Sequence, residues 1–171
     1  MSERVRLDRT DIAILATLQG EARITNHDLA ERVHLSASSC LQRVRKLEKA
    51  GVLRSYNARI ELERICRSVT VIAEATLNKH EEAEFRRFEQ AVDAIPEVTE
   101  CLKVSGEYDY ILRFVCTDMA QYDRLSDQLL NTGHGGARLS SHFVLSRSKQ
   151  SDGYPLESLL RSAQTDEGAS R

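Results

Sequence analysis

The chain has 171 residues, of which 41% are hydrophobic and 29% charged, with a formal net charge of −2. Those fractions belong to an ordinary folded protein and exclude a disordered or fibrous one, and no run approaches the ~18 apolar residues that a membrane span needs. The charge is unevenly spread: residues 1–60 carry 11 Lys/Arg against 7 Asp/Glu, whereas residues 61–171 carry 13 against 19. A basic N-terminal head on an acidic body suits nucleic-acid binding by the head and another task for the body.

The four cysteines, Cys40, Cys66, Cys101 and Cys116, are scattered, with no CxxC and no accompanying histidine cluster. They read as reduced, mostly buried thiols in a cytosolic protein, with no metal site among them. Met1–Arg9 is highly charged with no apolar run behind it, so no signal peptide is expected.

A first helix is predicted over Asp8–Leu18, with Ile12, Leu15, Ala16 and Leu18 on its apolar face and Gly20 at its end. Thr25-Asn-His-Asp28 has the form of a capping box with Asp in place of Glu, opening a second helix over Asn26–Val33. His34-Leu35 makes a tight turn, and Ser36 caps a third helix that runs to Ala50 and stops at Gly51. Cys40, Val44 and Leu47 line the inner face of that helix, with Leu41 at the edge. Its outer face carries Ser38, Ser39, Gln42, Arg45, Lys46 and Lys49, with Arg43 on the flank.

Two helices joined by so short a turn, the second polar and basic outside, are the helix-turn-helix arrangement. Hydroxyls, Gln and Arg can read base edges, and Lys and Arg neutralise phosphates. Taken alone, the same stretch also reads as a solvated amphipathic helix. Val52–Ile60 is expected to be strand-like, as in a wing, with Arg54 and Arg59 either reaching phosphates or simply exposed.

Residues 61–68 read as a linker. Beyond them Val69–Leu77 is rich in β-branched residues and predicts a strand. A helix follows over Glu81–Ile95 (Phe85, Phe88, Val92, Ile95), stopped by Pro96. Val98–Val104 is a second strand, Ser105–Asp109 a turn, and Tyr110–Cys116 a third strand. Met119–Leu130 returns to helical spacing, Thr132–Gly136 is a flexible loop, and Leu139–Leu145 is a fourth strand. The order is βαββαβ, the ferredoxin-like arrangement, with helices over one sheet face. Ile72, Leu112 and Phe114 suggest that the other face is apolar, which points to dimerisation. The tail from Ser162 is small and polar and is expected to be disordered.

The pattern of Leu7-Asp8, Asp11-Ile12, Ile14-Leu15, Arg23–Asn26, Asp28–Ala30, Leu35-Ser36, Cys40-Leu41, Arg43-Val44, Leu47, Ala50-Gly51 and Tyr56 resembles the Lrp/AsnC, or feast/famine, family of prokaryotic transcription regulators. The second half continues the match in Pro96–Val98, Glu100-Cys101, Ser105–Tyr110, Asp118-Met119, Tyr122 and Lys149. The resemblance implies an α+β chain: a winged helix-turn-helix domain at 1–60, the linker, a ferredoxin-like βαββαβ (RAM) domain at 69–150 and a tail at 151–171. It implies an amino-acid-responsive, sequence-specific regulator of amino-acid metabolism genes, at work in the cytoplasm on the nucleoid. Its partners would be double-stranded DNA, a free amino acid, and copies of itself as a homodimer assembling to a tetramer or octamer. No membrane, cofactor, metal or catalytic residue is expected.

Ser38, Ser39, Gln42 and Arg43 are the candidates at base edges and Arg45, Lys46 and Arg54 at phosphates, with the cap Ser36 completing the DNA-binding set. The family's G-x-x-D turn points to Gly106 and Asp109 for the effector, with Tyr108, Met119, Ser141 and His142 near it. Gly106 allows close backbone approach and Asp109 can pair with an α-ammonium, although both residue types are also common in hairpin turns. Gly133–Gly136 replaces the Leu-Pro-Gly-Val-like turn usual in relatives, and Ile65-Cys66 replaces the usual Leu-Gly pair. Two other readings are an Lrp-like enzyme of the sirohaem decarboxylase type and a mainly architectural DNA-compacting protein.

Overall fold

The computed structural model describes residues 5–131, 137–151 and 153–160. The predicted Thr132–Gly136 loop and the tail from Ser162 lie outside the described residues. The chain divides into two compact units, one of the described residues up to Arg59 together with those from Lys149 onward, the other Ile60–Ser148.

In the first unit three helices enclose one core. Helix α1 (Arg9–Gly20) opens with a capping box in which Asp8 accepts from the Asp11 N–H and Asp11 accepts from the Asp8 N–H. Helix α2 (Asn26–Arg32) is capped by Thr25, whose hydroxyl accepts from the Asp28 N–H at 3.2 Å and donates to the Asp28 carboxylate at 2.7 Å. The turn before helix α3 (Ala37–Lys49) puts His34 at φ 55°, a left-handed conformation that non-glycine residues rarely take. Ile14, Leu29, Ala30, Cys40 and Leu47 are buried at its centre.

No strand forms between residues 52 and 60, against the expectation of a wing. A strand needs a hydrogen-bonded neighbour, and the start of this segment is already committed elsewhere. The N–H groups of Val52 and Leu53 both bond to Leu47 O (3.0 and 3.2 Å), and their side chains pack on the helical core. Tyr56 turns back to donate to Glu48 at 2.9 Å.

In the second unit a single 3-10 turn (Leu62–Arg64) precedes β1 (Val69–Leu77), α4 (Glu82–Asp93), β2 (Val98–Lys103), β3 (Tyr110–Cys116), α5 (Met119–Asn131) and β4 (Ala137–Phe143). The fourth strand thus begins and ends two residues earlier than expected. The sheet is antiparallel with order β2-β3-β1-β4, so β1 is paired on both sides. Burial alternates along β1 and β3: Val71, Ala73, Ala75 and Leu77 with Tyr110, Leu112, Phe114 and Cys116 form one core with Phe88, Val92, Tyr122 and Leu129 of the helices.

Leu112 and Phe114 therefore lie under the helices, not on the open face where their apolar character had placed them. β3 is apolar at every position but Arg113, and its register against β1 sets Arg113 with Ile111 and Val115 on the open face. The open face carries Ile72 and Glu74 of β1 with Ile111, Arg113 and Val115 of β3, all half-buried. Of the cysteines, Cys40 and Cys116 are buried while Cys66 and Cys101 are exposed, so half of the expected burial is absent.

The register makes a direct prediction. In a urea titration Leu112→Ala should lower the unfolding free energy by about 2–5 kcal/mol. A loss under about 1 kcal/mol would place Leu112 on the open face instead.

Candidate nucleic-acid interface and effector site

Helix α3 is held at both ends. Ser36 Oγ accepts from the Ser39 N–H at 3.3 Å and donates to Ser39 Oγ at 2.9 Å, with Ser38 Oγ 3.2 Å away. At the other end Gly51 takes φ +69°, which costs a glycine little. Lys46 and Lys49 lie in the last turn, where cations offset the negative end of the helix dipole. Cys40 and Leu47 are buried beneath, and Val44 packs beside them.

The outward face is exposed at Ser36, Ser38, Ser39, Gln42, Arg45, Lys46 and Lys49. The serines at the N-terminus spend hydrogen-bonding capacity on one another. Gln42, Arg45, Lys46 and Lys49 have no side-chain hydrogen-bond or ion-pair partner among the described residues, and α3 presents them to solvent as donors with full capacity for a ligand. Exposed Arg54 is likewise without a side-chain partner there, although no strand carries it.

Arg43 is placed differently from the outward face with which it was grouped. Its Nη1 donates to Asp8 Oδ2 at 2.6 Å and to Asp11 Oδ1 at 2.7 Å, so it clasps both carboxylates of the α1 capping box. The Asp11 side chain is only 6% exposed, whereas those of Asp8 and Arg43 are 53% and 33% exposed. The backbone N–H of Asp11 and then the Arg43 guanidinium hold the Asp8 carboxyl below the ordinary aspartate value. Asp8 and Asp11 were not singled out in the sequence as partners of α3, although the Asp-x-x-Asp spacing before an apolar run was a signal for the cap.

The six residues grouped as an effector site do not share one place within this chain. Gly106, at φ +123°, shapes the β2–β3 turn, a conformation open to glycine and strained for other residues. Asp109 accepts from the Leu77 N–H at 2.8 Å through one oxygen and lies 3.2 Å from His80 Nε2 through the other. Its own N–H bonds to Ala75 O and its carbonyl accepts from Val104. Asp109 thus ties the turn to the end of β1.

Tyr108 hydrogen-bonds to Glu74, which, with the neighbouring Glu107 carboxylate, raises the phenol's pKa. His142 Nε2 is 3.4 Å from Glu74 Oε2, so Tyr108 and His142 converge on this open-face carboxylate. Ser141 points the other way, pairing with the Tyr122 hydroxyl under α5. Met119 is 62% exposed at the start of α5, while Tyr122 is the core residue of that pair. The chain therefore brings together Tyr108, His142 and Glu74, and separately Asp109 and His80. Glu74 and His80 were missed because their neighbours come from distant strands.

No group of three or more His, Cys, Asp or Glu side chains gathers as a metal cage among the described residues. None of the described helices is long and apolar enough to cross a membrane.

Removing Arg43 leaves a buried Asp11 carboxylate unpaired, so Arg43→Ala should destabilise the helical unit by about 1–3 kcal/mol in thermal unfolding. Because the Asp8 pKa is depressed on folding, its contribution is complete above 3.8 and fades as pH falls through its lower folded value. Asp8→Asn should therefore flatten the loss of stability on acidification, and an unchanged acid limb would remove Asp8 from that role.

Two family profiles match the chain: a winged helix-turn-helix DNA-binding profile over residues 7–54 and the Lrp/AsnC ligand binding domain over residues 70–154. The transcriptional regulatory protein DoeX of Halomonas elongata is 41% identical over 140 residues, covering 82% of this chain and 89% of that protein. The leucine-responsive regulatory protein of Escherichia coli is 38% identical over 146 residues, covering 85% of this chain and 89% of its own length. A transcriptional regulator of Neisseria meningitidis, solved as a complex with L-Met, superposes with a TM-score of 0.80 at 36% identity and covers 90% of this chain and 99% of its own. An AsnC family regulator from Agrobacterium tumefaciens superposes with a TM-score of 0.82 at 32% identity and the same coverage. These relatives regulate transcription, which removes the sirohaem decarboxylase reading. With both halves matched and in this order, the chain belongs to the Lrp/AsnC family of DNA-binding transcriptional regulators.

Proposed function

We propose that this amino-acid-responsive, sequence-specific regulator binds DNA as a dimer that assembles further, to a tetramer or octamer, and that a free amino acid shifts its assembly or DNA affinity. The observation that carries the reading is the outward face of α3. Its amide and cations lie exposed on a helix whose two ends and inner face are fixed. Two such helices related by a two-fold axis fit successive major grooves of a pseudo-palindrome. In that arrangement Ser38 and Gln42 face base edges, Ser36 and Ser39 frame the helix N-terminus, and Arg45, Lys46 and Arg54 lie toward phosphates. Arg43 contributes by holding α3 against α1.

The open sheet face supports the dimer. Ile72, Ile111 and Val115 are half-buried there and Leu102 is 47% exposed, an apolar patch of the kind a second copy covers. For the effector, Gly106 and Asp109 form the turn that the family resemblance points to, and the bound L-Met of the Neisseria meningitidis relative supports a small amino acid as ligand. Within one chain only part of the candidate set converges. Completion of the pocket by a second copy would reconcile Met119, Ser141 and His142 with the turn. Work in the cytoplasm, on the nucleoid, is part of the same proposal.

The reading is tested by equilibrium binding to the DNA upstream of the protein's own gene, at near-physiological salt, with and without each of the twenty amino acids. Binding altered by one amino acid is the expected result. Binding indifferent to all of them would dismiss the effector reading. Binding no tighter than to random duplex, there and at other promoters, would favour an architectural role.

Two variants refine the test. Lys46→Ala should weaken binding to all sequences alike and reduce the slope of log affinity against log salt by about 1. Asp109→Asn keeps an acceptor for the Leu77 N–H while losing the charge, so it should preserve the fold and DNA binding but abolish the amino-acid response. An Asp109→Asn protein that responds normally would exclude an ammonium contact at that position.

A further inference from the structure

The C-terminal segment does not stay with the unit from which it emerges. The ligand-binding profile runs to residue 154, yet the described residues from Lys149 onward belong with the three helices of the DNA-binding unit. Their contacts are specific. The Gln19 side chain, in the last turn of α1, accepts from the Tyr154 N–H at 2.7 Å and donates to Tyr154 O at 3.2 Å. One side-chain amide thus satisfies both backbone groups of a residue, as a neighbouring strand would.

Three more contacts seat the segment. Arg59 donates to Ser151 O at 2.7 Å, and Ser151 and Gly153 are hydrogen-bonded into a local turn. Leu156 is half-buried against the core formed by Ile14, Leu15 and Leu18. At Gly153 the fit leaves no room for a side chain. A Cβ there would lie 2.5 Å from Gln19 Cδ and Oε1 and 2.9 Å from Gln19 Cβ. Either the added methyl or the Gln19 amide would have to move, and moving the amide breaks the pair of bonds to Tyr154.

We propose that Ser151, Gly153, Tyr154 and Leu156 form a strap by which the effector-binding half controls α1 and, through it, the DNA-reading helix. The chain passes from Ser148 of the effector-binding unit directly into the strap. The strap grips the C-terminal end of α1 at Gln19. The N-terminal end of the same helix grips α3 through Asp8, Asp11 and Arg43. A rigid helix held at one end by the strap and at the other by the recognition helix is a physical link of the kind that coupling between sites requires. The inference rests on the regulator reading for its purpose, but the seating of the strap stands on its own contacts.

The test uses the full chain in four forms: wild type, Gln19→Ala, Gly153→Ala and the double variant. Amide hydrogen exchange of α1 is measured without DNA, and the DNA dissociation constant is measured at one salt concentration. Gly153→Ala should speed exchange in α1 while leaving β1 and β3 unchanged, and should weaken DNA binding by about tenfold. In the Gln19→Ala background the two atoms that the new methyl strikes at 2.5 Å, Cδ and Oε1, are gone, and only Cβ at 2.9 Å remains. Gly153→Ala should then add less than about twofold to the loss of DNA affinity, the non-additivity expected of two residues that act through one contact. Unchanged exchange in α1 for both single variants would show that the strap is not seated. Faster exchange with undiminished DNA affinity would show that it is seated but controls nothing. Failure of the wild type itself to bind DNA specifically would strike the regulator reading, while exchange in α1 still decides the seating.

Discussion

The clasp of Arg43 on Asp8 and Asp11 is the constraint on which the DNA-binding half depends. A recognition helix is useful only if its outward face is presented at a fixed angle, and a charge-assisted hydrogen bond adds a directional restraint that non-directional apolar burial lacks. Here one guanidinium nitrogen bridges two carboxylates that also cap the first helix. The N-terminus of α1 and the middle of α3 are thereby held at the same point. The nearly buried Asp11 makes the clasp costly to break, because loss of the cation leaves a desolvated charge with the Asp8 N–H as its remaining partner. The residues left over on α3, from Ser38 to Lys49, are then available to a ligand.

The second half answers to a different constraint. β1 is hydrogen-bonded on both sides, and α4 and α5 cover only one face of the sheet it centres. An antiparallel sheet tolerates such asymmetry, but its uncovered face must be polar, wet or occupied. In this chain it is mixed: isoleucines and a valine surround a carboxylate, Glu74, that collects a phenol and an imidazole. The composition suits an interface better than plain solvent, as the proposed dimer requires. The turn at Gly106 and Asp109 is fixed at one end of this sheet by hydrogen bonds to Ala75 and Leu77.

Much of this was legible in the residues. The spacing of Cys40, Val44 and Leu47, with Ser36 before and Gly51 after, specifies α3 to within a residue at each end, since caps and apolar period agree. The order βαββαβ was legible for the same reason, with Pro96 and the β-branched run at Val69–Leu77 marking boundaries. What was not legible depends on distance in the chain. Arg43 reads as one more cation on a basic helix until Asp8 and Asp11, more than thirty positions earlier, come to lie beside it. The faces of β3 were hard to tell apart because Tyr110–Cys116 is apolar except at Arg113, whose parity alone marks the side of Ile111 and Val115 as the open one. Val52–Ile60 reads as a strand by composition, but a strand exists only with a partner. Ser141 and His142 are adjacent in sequence and so point to opposite faces, a parity that the resemblance alone did not weigh. The seat of Tyr154 and Leu156 on the first unit left no periodic signal at all.

The most direct measurement is the ratio of specific to random-duplex affinity at one salt concentration, for the wild type and for a chain carrying Ser38→Ala and Gln42→Ala together. Those two side chains face outward from α3 and carry no part of its core. The expected wild-type ratio is on the order of 10³ or more, falling by at least about tenfold in the double variant while random-duplex affinity stays the same. A ratio that survives both substitutions would contradict the proposal, and would move sequence reading away from the outward face of α3.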